Sequence, residues 1–134
     1  MTATEPTRAA RIVLGVLFTG AGIAHVVENE WFEQLVPASL SRWRKPISAV
    51  TAVIQFIGGI SMFIPRLRVL ARWVNLPMLV GSLPAAADQV RHPETLRRAG
   101  IPPKLAPVRV VVQTVVAALT WWATRRGNSR AGAR

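Results

Sequence analysis

Four apolar runs constrain this chain more than any other feature. They are Ile12 to Val27 (IVLGVLFTGAGIAHVV), Pro46 to Ile64 (PISAVTAVIQFIGGISMFI), roughly Leu67 to Ala87 and roughly Leu105 to Thr124. A helix needs ~20 residues to cross the hydrocarbon of a bilayer, with a range of roughly 17 to 25. The last three runs have that length. The first reaches it once Ala9 and Ala10 extend it and Arg8 and Arg11 snorkel to the headgroups. In lipid a backbone must satisfy its own hydrogen bonds, so each run is predicted to be helical. The expected fold is all-α, a bundle of four transmembrane helices spanning about 10–27, 46–64, 67–87 and 105–124. A cytoplasmic N-terminal segment (1–9) and a basic cytoplasmic tail (125–134) flank it, and the chain is expected in the cell membrane as a multi-pass protein.

Charge supports this reading. Only 17% of residues are charged, against roughly 25% in globular chains. The net charge of +11 raises the question of nucleic acid. Here, however, the bases flank apolar runs and do not interleave with aromatics on a polar surface. The expected partner is the lipid bilayer, not nucleic acid. The acids Glu28, Glu30 and Glu33 cluster where the first run ends, which marks the mouth of that helix. Five tryptophans, Trp31, Trp43, Trp73, Trp121 and Trp122, fall near the predicted interfaces and read as an aromatic belt.

Orientation follows from the arginines. With four spans both termini share a side. That side carries nine bases against one acid (net +8), and the other carries eight bases against five acids (net +3). Bases favour the cytoplasm, so both termini are expected there. The short turn Pro65-Arg66-Leu67-Arg68 is the clearest inside signal. Residues 88–107 form the one long loop.

Helical spacing places one small or polar face on every span. These faces are Gly15, Gly22 and His25; Ser48, Thr51, Gln55 and Gly58; Asn75, Ser82, Ala86 and Gln89; and Arg109, Gln113, Ala117 and Thr120. Small and polar faces turned inward are the pattern of a membrane bundle. Most of the polar groups lie toward the outer leaflet, and ionisable groups at such depth usually face the interior. His25, Gln55, Arg109 and Gln113 are therefore the candidate ligand pocket, with Glu28, Asp88 and Gln89 at its rim. Glu28 is expected to pair with Arg109, from sign and depth. Each of these residues also has a plain packing explanation, as interhelical glue or interfacial anchor. Gln113→Leu is expected to be tolerated by membrane insertion.

Catalytic chemistry finds little support. There is no cysteine, which removes disulfides and thiolate sites. The two histidines, His25 and His92, do not make a metal set without several carboxylates. No Ser-His-Asp order or phosphate-binding glycine loop is present. No catalytic residue and no metal site is assigned.

Four stretches resemble the DoxX-like family of small integral membrane proteins of the bacterial inner membrane. FTGAGIAHVVENEWFEQLVPASL (18–40) resembles its first-helix signature, and VTAVIQFIGGISMFIPRLR (50–68) its glycine-rich second helix. VGSLPAAA (80–87) resembles the Pro-Ala of the third, and VRVVVQTVVAALTWWA (108–123) the closing Arg, three apolar residues and Gln. The resemblance covers residues 10–124. It implies a four-helix membrane fold and an association with quinone-linked oxidoreduction, redox stress or assembly of membrane complexes. Three positions depart from the pattern: Gln55 where many relatives carry glutamate, Ala86 where many carry asparagine, and Val110 where a proline often follows the arginine. Without an ionisable group at Gln55, catalysis is a weaker expectation still.

Three functions follow as expectations. The first is a non-catalytic accessory or assembly subunit with a membrane-protein partner. The second is a lipid- or quinone-binding component of an oxidoreductase system, quinone being the one cofactor contemplated. The third is a small transporter, weakened because Gln55 is the only polar side chain near the midplane.

Overall fold

The computed structural model describes residues 5–125, and no strand occurs among them. The helices are α1 (Glu5–Val27), α2 (Asn29–Glu33), α3 (Arg44–Phe63), α4 (Arg68–Gly81), α5 (Leu83–Arg91), α6 (Glu94–Arg98) and α7 (Ala106–Ala123). Short 3₁₀ turns precede α3, α4 and α7. Residues 1–4 and most of the expected tail, 126–134, lie outside the described residues. Residues 5–9 of the expected N-terminal segment continue α1.

Four segments are long and apolar enough to cross a membrane: Pro6–Val27, Ala38–Phe63, Pro65–Arg91 and Pro103–Ala123. Their outward faces carry large apolar side chains, such as Val13, Val26, Val53, Ile57, Val80, Val111 and Val115. Such a girdle suits lipid and is far larger than a soluble monomer exposes. The inward faces hold the small and polar residues. Ser48, Gly58, Asn75, Ala86, Gln89 and Thr120 are all buried.

The helices close a ring: α1 against α3, α3 against α4, α4 and α5 against α7, and α7 back against α1. Packing between α1 and α3 is the most extensive, and glycine makes it so. A Cβ on Gly22 would stand 2.9 Å from the Phe56 backbone nitrogen, and one on Gly59 would run into the Thr19 backbone. Small residues let membrane helices approach backbone to backbone, where dispersion substitutes for the missing hydrophobic drive.

The apolar core lies in the half of the bundle that holds the chain termini. Leu14 and Phe18 of α1 meet Met62 of α3, Ala71 and Leu79 of α4 and Ala123 of α7. The other half, where the 28–43 and 92–105 connections lie, is not filled this way.

The third span is broken, where the sequence alone suggests one continuous run. Pro77 lies inside α4, Ser82 separates α4 from α5, and Pro84 stands in the first turn of α5. Each proline removes one backbone donor from the ladder and crowds the preceding turn. The 88–107 stretch is also more ordered than a loop. Its helix α6 buries Leu96 at 1% exposure. It ends in a left-handed Gly100 (φ 75°), with Gly100 N–H donating to Arg97 O and Ile101 N–H to Leu96 O. This paired 5→2 and 6→1 closure needs a residue that tolerates positive φ, hence glycine.

Candidate functional site

A cavity of about 720 Å³ occupies the loop half of the bundle. It lies between α1, α3 and the broken α4–α5 span, under the connection that follows α2. Its wall is mainly apolar, including Phe32, Leu35, Leu40, Ile47, Met78 and Ile101. Three of the four residues proposed from the sequence as a pocket, His25, Gln55 and Arg109, line it together.

His25 stands in the last turn of α1, with Nδ1 3.0 Å from the Ala21 carbonyl oxygen. A carbonyl only accepts, so Nδ1 carries the proton and Nε2 keeps a lone pair. Phe32 of α2 stacks on the imidazole, with centroids 3.6 Å apart and planes 20° from parallel. Trp31 meets Phe32 edge-on at 4.8 Å and donates its Nε1–H to Ala99 O at 2.9 Å. The Gly100 turn is what presents that carbonyl. Trp31 is thus a cavity-wall residue, not part of a lipid-facing belt. Trp43, Trp73, Trp121 and Trp122 remain exposed.

A short polar chain holds α2 over the cavity as a lid. Ser48 Oγ donates to Asn29 Oδ1 at 2.7 Å, and Asn29 Nδ2 donates to Glu33 Oε1 at 2.9 Å. These bonds pin α2 onto α3 and hold Phe32 over His25. Gln55 sits on α3 within side-chain hydrogen-bonding reach of His25, and its Oε1 is buried.

Arg109 enters from the first turn of α7. Its Nη1 donates to Gln89 Oε1, and Gln89 Nε2 donates onward to Leu35 O at 3.0 Å. Gln89 is 1% exposed and joins α5, α7 and the connection over the cavity. No carboxylate pairs with Arg109 among the described residues. The expected Glu28 partner is exposed at the end of α1 and makes no ion pair. Asp88 instead bonds His92 on the surface, Oδ1 to Nδ1 at 3.0 Å. Neither Glu28 nor Asp88 lines the cavity.

Gln113 also stands apart from the cavity wall. Its Nε2 donates to Leu79 O at 2.7 Å and to Ser82 Oγ. Both acceptors belong to the break between α4 and α5. Broken helix at membrane depth is tolerated where other groups satisfy the freed backbone, and Gln113 does that here.

The geometry therefore assembles one cationic donor, Arg109, a neighbouring polar pair, His25 and Gln55, and an apolar chamber. Over a ligand such a set holds a small polar head by hydrogen bonds while the walls take an apolar body. Phe32, Trp31, Asn29 and Ser48 were not among the pocket residues proposed from the sequence, which placed Ser48 on an inward face and Trp31 in the belt. Phe32 had a legible signal, lying seven residues after His25 and so near the same helical face.

A family model described as a domain of unknown function (DUF8561) matches residues 14–124. The chain belongs to the DUF8561 family. The matched stretch includes every cavity-lining residue and all four spans but the first turns of α1. No curated protein and no solved structure matches the chain.

Proposed function

We propose that this DUF8561 protein is a multi-pass membrane protein that binds a lipophilic molecule with a small oxygen-bearing head, of the quinone class, without catalysing a reaction on it. One observation carries the reading: Arg109, a permanent cation with no carboxylate partner, stands in the wall of a largely apolar cavity. Ligand cavities run from about 300 to 1,000 Å³, and a quinone head with part of its tail falls in that range. A carbonyl oxygen accepts from Arg109, and a hydroxyl of the reduced form donates to the pair of His25 and Gln55. The DoxX-like resemblance, with its link to quinone oxidoreduction, points the same way.

The experiment is a thermal-unfolding titration of purified protein with a short-tailed quinone. A ligand that binds only the folded state stabilises by about 2.7 kcal/mol at a hundredfold excess over Kd. Wild type is expected to shift upward in melting temperature and Arg109→Gln to lose most of the shift. No shift at saturating quinone sinks the reading.

A second reading is an accessory subunit of a larger membrane complex. It is favoured by α7, the least enclosed span, whose outer face carries Val108, Val111, Val112, Val115 and Leu119. Affinity purification in mild detergent is expected to recover a stoichiometric membrane partner under this reading.

A further inference from the structure

At the opposite end of the bundle from the cavity lies a second, smaller hollow of about 470 Å³. It is lined by Arg8, Arg11, Ile12, Met62, Phe63 and Pro65, where the start of α1 meets the end of α3. Arg11 does not simply snorkel to solvent. It is 8% exposed, enclosed by protein. Its Nε and Nη1 are buried and have no hydrogen-bond partner. An arginine keeps its charge in any protein setting. A buried guanidinium with idle donors is a costly arrangement that native structures rarely leave uncompensated.

Among the residues whose side chains are described, the surroundings add positive charge. Arg8 and Arg68 both lie near enough to act on Arg11 electrostatically. The Arg68 Nε donates to Pro65 O at 3.1 Å, which holds that guanidinium over the turn. Among the described residues no carboxylate pairs with any of the three. Arg8 and Arg11 line the hollow and Arg68 acts on Arg11 from beside it, and like charges so placed repel each other unless an anion sits among them.

We infer that this hollow is a binding site for a phosphate group, gripped by the idle donors of Arg11 and screened by Arg8 and Arg68. The planar guanidinium fork matches phosphate oxygens in a bidentate fashion. Depth fits as well. Arg11 lies five residues into the span that begins at Pro6, or ~7.5 Å at ~1.5 Å per residue. Counted from the outer face of the headgroup layer, which adds roughly 5–7.5 Å on each side of a ~30 Å hydrocarbon core, that is its boundary with the acyl chains. The ring of Phe63 and the side chains of Ile12 and Met62 then flank the start of an acyl chain. The phosphate can come from an anionic phospholipid or from a phosphorylated solute, and both present the same oxygens to Arg11. This site is separate from the loop-end cavity and does not rest on the quinone reading.

The test is native mass spectrometry of the full-length protein in a neutral maltoside detergent. Phosphatidylglycerol, diacylglycerol with the same chains, and inorganic phosphate are titrated separately. Phosphatidylglycerol is expected to form a one-to-one adduct at least tenfold more readily than diacylglycerol, and Arg11→Gln to lower that adduct at least tenfold. Arg8→Gln, on an exposed side chain that folding does not need, is expected to weaken it severalfold. If inorganic phosphate binds with the same Arg11 dependence while the lipid does not, the phosphate site stands and its source is a solute. Equal binding by wild type, Arg11→Gln and Arg8→Gln, or no adduct with either phosphate source, overturns it. Thermal melting of each variant without ligand confirms that it is folded. If Arg11→Gln does not fold, Arg8→Gln alone decides.

Discussion

Two glutamines that look alike in the sequence do different work. Gln89 ties three segments together through Arg109 and Leu35 O. Replacing it with leucine leaves the half-buried Arg109 guanidinium and the Leu35 carbonyl without this partner. An unmet buried group costs about 1–3 kcal/mol, so Gln89→Leu is expected to lower unfolding free energy by about that much. Gln113→Leu strips a donor from the α4–α5 break. Measured side-chain hydrogen bonds between membrane helices average about 0.6 kcal/mol and reach ~1.7. The removal of a polar group that eases insertion thus comes with a small loss of folded stability. Unfolding in mixed micelles measures both, and Gln113→Leu matching or exceeding Gln89→Leu in cost contradicts this ranking. The sequence placed both residues on inward faces through helical period alone. It did not reveal their partners, because those depend on how α5 and α7 are rotated against each other.

At the scale of elements, the glycine contacts decide how close α1 and α3 come. Gly22 and Gly59 have no room for a methyl group, while Gly20 has nothing within 4 Å of the same atom. Gly22→Ala and Gly59→Ala are expected to push the helices apart and to cost about 1–3 kcal/mol, as overpacking does. Gly20→Ala is expected to be neutral or stabilising by under ~1 kcal/mol, since alanine favours the helix. Comparative unfolding of the three variants checks this, and equal costs at all three would remove the close-approach argument. Sequence spacing put Gly15, Gly22 and His25 on one face, and that face does meet α3. The break in the third span was less legible. Pro77 and Pro84 are visible in the sequence, yet prolines are common in membrane helices and many only bend them. What marks this one is Gln113, 34 residues after Leu79, reaching back to the Leu79 carbonyl. The lid was hidden for a similar reason. Trp31 bonds Ala99 across 68 residues of chain, a pairing no local pattern contains.

Over the whole molecule, the two ends differ: an apolar core with the Arg8 and Arg11 hollow at the termini end, a largely apolar cavity with a few polar groups in its wall at the loop end. Which end faces the cytoplasm is a matter of charge. Positive-inside counts bases near the span ends, and those stand at nine for the termini side and eight for the loop side. The margin is one base, so orientation should be easy to disturb. A fluorescent reporter fused after the C-terminus is expected to fold and glow in the cytoplasm, and a periplasm-dependent phosphatase there to stay inactive. A phosphatase inserted within 91–98 is expected to be active. The opposite pattern at both positions overturns the orientation. The turn between α3 and α4 supplies Arg66 and Arg68 to the termini side. Removing both as Arg66→Gln and Arg68→Gln leaves seven bases against eight. The double variant is therefore expected to insert in both directions, with each reporter giving partial signal at each site. If it keeps a single orientation, charge at that turn does not set the topology, and the direction must come from the arginines that flank α1 and α7.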